Sequence, residues 1–65
     1  MNPSKETRNK ELVQKRVTDP KTWSFGALGQ FFNIHKTTAE ELFKRDLKKY
    51  ATATQISKYH KLLSS

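Results

Sequence analysis

Apolar residues recur along the chain at helical spacings, interrupted by a few turn-forming residues. In "ETRNKELVQKRV", residues 6–17, Leu12, Val13 and Val17 form one stripe, while Glu6, Arg8, Lys10, Glu11, Lys15 and Arg16 fall mostly elsewhere. This pattern predicts a first amphipathic helix, short of apolar mass. Asp19-Pro20 ends it, because proline disfavours helical geometry in the residue before it and has no amide to continue the ladder. "TDPKTW" is then the connecting loop.

Ser24 precedes the next periodic segment, where its hydroxyl can take an orphan amide of a first turn. A second helix from about Phe25 to Phe32 places Leu28 and Phe32 on one face, with Phe25 one turn before Leu28. Asn33 stops it, since asparagine tolerates the left-handed conformation that closes helices. The pattern restarts in "HKTTAEELFKRDLKKY", predicting a third helix from about Thr37 to Tyr50. Ala39, Leu42, Leu47 and Tyr50 share its apolar face, with Phe43 at the edge. Thr37 or Thr38 could open a capping box with Glu40 or Glu41. "ATAT" interrupts, and "QISKYHKLL" predicts a short fourth helix carrying Ile56, Tyr59 and Leu62 or Leu63. The polar start, residues 1–5, reads as a flexible arm in which Ser4 is a possible cap, and residues 6–63 as one domain. The expected fold is all-α, a bundle of three or four helices.

Two helices joined by a three- or four-residue turn at about 90 to 120° form a helix-turn-helix. That geometry needs a small residue in the first helix, apolar residues before and after the turn, and apolar anchors in the second. Gly29 is the small residue, Leu28 and Phe32 are the first-helix anchors, Ile34 plugs the turn, and Ala39 and Leu42 anchor the second helix. Asn33 stands in the turn where glycine is usual. At these positions "SFGALGQFFNIHKTTAEELFKR", about a third of the chain, resembles the helix-turn-helix of phage repressors, of resolvase and transposase modules, and of the last region of sigma factors. The resemblance implies sequence-specific binding of double-stranded DNA through the helix at about 37–50, in a small transcriptional regulator or in the DNA-binding module of a larger protein. It places Lys36, Thr37, Glu40, Glu41 and Lys44 at the bases, and Ser24, His35, Arg45, Lys48 and Lys49 at the phosphates. Lysine can bond guanine acceptors, threonine can offer its methyl to thymine, and glutamate can accept from the cytosine amino group. The glutamates also have a plainer reading, as cap and as i,i+4 partners in the pairs Glu40 with Lys44 and Glu41 with Arg45.

Composition fits such a partner. Thirteen Lys and Arg against six Asp and Glu give a net charge of +7, which concentrates polyanions around the chain. In isolation, Lys44, Arg45, Lys48, Lys49, Lys58 and Lys61 would be only a solvated face, the usual meaning of scattered lysines; beside a helix-turn-helix pattern the balance reverses, because flanking cations hold such a motif on the duplex. The seven aromatic side chains are expected in the core rather than as a base-stacking platform, because 65 residues have little else to bury. There is no cysteine, and the two histidines, His35 and His60, have no carboxylate or second histidine at a metal-binding or catalytic spacing. Adjacent Glu40 and Glu41 diverge by about 100° on a helix, and Gly26 and Gly29 lie inside a helix rather than in a phosphate loop. Neither an enzyme nor a cofactor is expected. No apolar run approaches the length of about 20 residues that a membrane span needs, so a cytoplasmic protein is expected, nucleoid-associated in a bacterium or phage. The fourth helix could serve a homodimer or a larger protein partner. The rival reading is a helical protein-interaction module whose charge is only a solvated surface.

Overall fold

Four helices form where the apolar periodicity predicts them: α1 (Lys5–Thr18), α2 (Phe25–Phe32), α3 (Lys36–Tyr50) and α4 (Ala53–Ser64). They are seen in a computed structural model that describes residues 4–64, among which there is no strand. Ser4 caps α1, its hydroxyl accepting the Thr7 amide at 3.2 Å. Of the arm expected at residues 1–5, residues 1–3 therefore lie outside the described residues, while Ser4 and Lys5 are the cap and first residue of α1. Asp19 and the buried Pro20 close this helix, and the Asp19 carboxylate accepts the Thr22 amide at 3.2 Å in the loop that follows.

The α2–α3 turn is built from backbone geometry. Ser24 caps α2 by accepting the Ala27 amide at 3.2 Å. At the other end Asn33 is left-handed, with φ 57° and ψ 47°. Its amide bonds the Gln30 carbonyl at 3.3 Å and the Ile34 amide bonds the Gly29 carbonyl at 2.8 Å, the paired closure known as a Schellman motif. A Cβ on Gly29 would stand 2.7 Å from the Ile34 carbonyl oxygen and 3.2 Å from the Lys36 nitrogen. The small residue in α2 thus makes room for the turn itself. His35 caps α3, where its Nδ1 accepts the Thr37 amide at 3.2 Å. The capping box expected of Thr37 or Thr38 is absent, because α3 begins a residue earlier, at Lys36.

α3 packs on both α1 and α2, and α4 lies mainly against α1. Leu12, Val13 and Val17 of α1, Leu28 of α2, and Ala39, Leu42 and Phe43 of α3 form the core with Ala51 and Tyr59. Leu12, Val13 and Leu28 are wholly buried, each contributing about 1.5–3 kcal/mol. Phe32, Ile34 and Trp23 pack partly buried against this cluster, as do Leu47, Tyr50 and Ile56. Two expectations change: Phe43 is a buried core residue rather than an edge residue, and Phe31, expected inside, is 57% exposed. Leu62 and Leu63, either of which is expected to join Ile56 and Tyr59 in packing on this domain or on a second copy, are 38% and 53% exposed on the single chain. The burial of Phe43 follows from the position of α1 and α4, whose Tyr59 ring meets Phe43 at 5.3 Å. Phe31 instead meets Trp23 edge-on at 5.2 Å, under the Lys15 ammonium, and Leu63 lies in the last turn of α4.

Two polar side chains of α1 hold the helices in register. Arg16 donates through Nη1 to the carbonyls of Pro20 at 2.8 Å and Trp23 at 3.1 Å, and through Nε to the Tyr59 hydroxyl at 3.2 Å. Its guanidinium also lies 4.3 Å from the Phe25 ring centre and 5.5 Å from that of Tyr59, so one cation touches the loop, α2 and α4. Gln14 donates to the Tyr50 carbonyl at 2.6 Å and exchanges side-chain hydrogen bonds with Gln55, 3.2 and 2.9 Å long. Gln55 in turn accepts the Thr52 amide and donates its own amide to the Thr52 hydroxyl, a capping box that starts α4.

Candidate nucleic-acid interface

α3 has a buried side made of Ala39, Leu42, Phe43 and Asp46. With about 100° of rotation per residue, Thr37, Glu41, Lys44 and Lys48 fall on one stripe opposite that side, and all four are exposed. Lys36 is exposed on one flank of the stripe, in the first turn. Arg45 and Lys49 are exposed on the other flank, roughly 80° and 120° round from Thr37. Lys48 and Lys49, adjacent in sequence, thus face different directions: the Lys49 ammonium leans over the Tyr50 ring at 5.2 Å. Both stand in the last turn, where cations also complement the helix dipole.

Ser24 and His35 begin α2 and α3 and are exposed, but each is already employed as a cap. The Ser24 oxygen accepts a backbone amide and keeps its hydroxyl proton to donate. His35 accepts through Nδ1, which in the neutral ring leaves the proton on Nε2 as a donor. Both caps can therefore bond an anion without releasing the helix they start.

The charges on α3 pair selectively. Glu40 and Lys44 meet at 2.9 Å, and their hydrogen bond and mutual attraction lower the Glu40 carboxyl and raise the Lys44 ammonium from their ordinary values. This pair matches the i,i+4 reading. Arg45 does not pair with Glu41: it turns to Asp46, Nε to Oδ1 at 3.1 Å and Nη2 to Oδ2 at 3.2 Å, which raises the guanidinium value further. Asp46 is nearly buried, so it holds the arginine more firmly than the solvated Glu41 can. Glu41 has no hydrogen-bond or ion-pair partner among the described residues.

Arg16 is the residue that sequence reasoning missed. It touches no part of the outward stripe, yet it braces the Phe25 ring at the start of α2, and Phe25 packs on Phe43 of α3 at 5.8 Å. Its only sequence signal is its place beside Val17 at the edge of the α1 stripe. No group of three or more His, Asp or Glu that could hold a metal occurs among the described residues, and no helix there is long and apolar enough to cross a membrane. Compared with known protein families, curated proteins and solved structures, the chain matches none.

Proposed function

We propose that this chain binds double-stranded DNA sequence-specifically, with α3 as the recognition helix, as a small transcriptional regulator or as the DNA-binding module of a larger protein. The observation that carries the reading is the α2–turn–α3 unit. Its turn is closed by Asn33 and admitted by Gly29, and its second helix turns a polar stripe and an exposed first turn away from the core. Lys36 and Thr37 are then at the base edges, Glu41 and Lys44 one and two turns further on, and Ser24, His35, Arg45, Lys48 and Lys49 at the flanking phosphates. Lys44 reaches a base only by leaving Glu40, a small loss for an exposed pair.

The test is a titration against random duplex and against a selected site over a salt series. Binding should weaken steeply with salt, and Lys48→Ala should weaken both duplexes about equally while reducing the slope of log affinity against log salt by about one. Lys36→Ala should instead cost about tenfold on the selected site and relax the preference there. Salt-independent association, or no association with duplex, refutes the reading. The exposure of Phe31, Leu62 and Leu63 favours a second reading, in which the C-terminal helix or the α2 edge docks another copy or a larger protein. Concentration-dependent mass in solution tests the self-association.

A further inference from the structure

We propose that Glu41 makes this chain select a cytosine in its DNA site, accepting a hydrogen bond from the base's 4-amino group. The assignment rests on the DNA-binding reading above and names what that interface recognises. α3 carries three carboxylates, Glu40, Glu41 and Asp46. Two are neutralised within the helix: Glu40 by Lys44 at 2.9 Å, and Asp46 by the forked contact of Arg45. Among the described residues Glu41 is left without a partner, because the two cations within its reach, Lys44 at i+3 and Arg45 at i+4, have each turned to another acid. It is also the acid on the outward stripe, directly in line with Thr37, Lys44 and Lys48.

An unpaired carboxylate carried toward phosphates opposes binding unless it meets a donor. The hydrogen-bond donors on the major-groove edge are the amino groups of cytosine and adenine. They differ in their neighbours. The adenine amino group lies beside the N7 acceptor, whose lone pair repels a carboxylate, whereas the cytosine amino group lies beside a carbon-bound hydrogen. A carboxylate, which only accepts, therefore prefers cytosine, and an amide, which both donates and accepts, prefers adenine. Glu41 stands one turn beyond Thr37, about 6 Å along the axis, or about two base-pair steps of 3.4 Å. The cytosine should lie within about two base pairs of the position that Thr37 reads.

The experiment is selection of sites from a random duplex pool with the full chain and with Glu41→Gln, Glu41→Ala and Glu40→Gln variants, with affinity for unselected duplex measured alongside. Glu41 is exposed, so its replacements should keep the helical circular dichroism of the parent. The parent should enrich cytosine at one position, Glu41→Gln should move that position to adenine, and Glu41→Ala should lose the preference there by about tenfold and leave the others. Both Glu41 variants should bind unselected duplex more tightly, because a repulsive charge is gone. Glu40→Gln should keep the cytosine. If the parent selects a site and the Glu41 variants select the same bases at every position, the cytosine assignment is overturned while DNA binding stands. If the parent binds no duplex, both fall.

Discussion

The α2–α3 turn and the α3–α4 joint each reverse the chain within a few residues, Asn33 to His35 in one and Ala51 to Thr52 in the other, but different atoms hold them. The first is closed by its own backbone: a left-handed residue, two amide-to-carbonyl bonds, and a glycine that lets the turn approach. The second is closed by side chains from afar, since Gln14 of α1 bonds both the last carbonyl of α3 and the Gln55 that caps α4. The connection from α1 to α2 is mixed: the Asp19 carboxylate takes the Thr22 amide locally, while Arg16, four and seven residues back, ties the Pro20 and Trp23 carbonyls and reaches on to Tyr59 of α4. A locally closed turn sets the path of the chain from α2 into α3 through neighbouring residues alone, while the packing of both helices still draws on α1. The joints closed from α1 bind the α2–turn–α3 unit to a scaffold.

The comparison breaks most visibly at Arg16. Arg16→Ala removes three hydrogen bonds from a charged donor and the cation over Phe25, and should cost about 3 kcal/mol, lowering the melting temperature by about 10 °C or more. Arg16→Lys should recover only part, because one ammonium cannot reproduce the fork. Thermal unfolding followed by circular dichroism measures both, and a loss smaller than that of any turn variant below would mean that the scaffold does not depend on this cation.

At the turn, Gly29→Ala should cost about 2 kcal/mol despite alanine's better helix propensity, because the new methyl meets the Ile34 carbonyl oxygen rather than a flexible side chain. Asn33→Gly should change stability by no more than about 0.5 kcal/mol, whereas Asn33→Val should cost about 1–2 kcal/mol through its left-handed φ. Equal responses to glycine and valine at Asn33 would show that side-chain contacts, and not backbone conformation, close this turn.

These differences also explain what the sequence made legible. Ser24, Gly29 and Asn33 act on neighbours a few residues away, so the bounds of α2 and the left-handed stop could be read directly. Gln14 and Gln55 are 41 residues apart, and neither type signals a partner by its composition. Arg16 falls off the apolar stripe of α1, where an arginine ordinarily extends its head into water; the convergence of Phe25, Phe43 and Tyr59 on its guanidinium, which part-buries it, has no signal in the spacing. On α3 the Glu40–Lys44 pair follows from helical spacing. The choice of Asp46 over Glu41 by Arg45 depends on burial, which spacing does not encode.

The smallest expected effect separates the two kinds of connection by pH. The α1–α2 loop contains a titrating group at a structural position: the Thr22 side chain and amide, bonded to Asp19, hold its carboxyl below the ordinary value of 3.8. Asp19 is depressed in the folded chain, so its contribution is complete above the unfolded value and is lost as pH falls through the folded one. The α2–α3 turn, Asn33 to His35, contains no carboxylate. In a pH titration by amide NMR, the Thr22 signal should therefore move with a midpoint below 3.8, while the Ile34 amide, bonded to the Gly29 carbonyl, should stay still over the same range. Asp19→Asn keeps an acceptor oxygen in place and should abolish the Thr22 titration without unfolding the loop. Should Ile34 move together with Thr22, the two connections would be coupled through the bundle, and the independence of the α2–α3 turn would have to be abandoned; should Thr22 move with a midpoint at or above 3.8, its bond to Asp19 would add nothing to the loop.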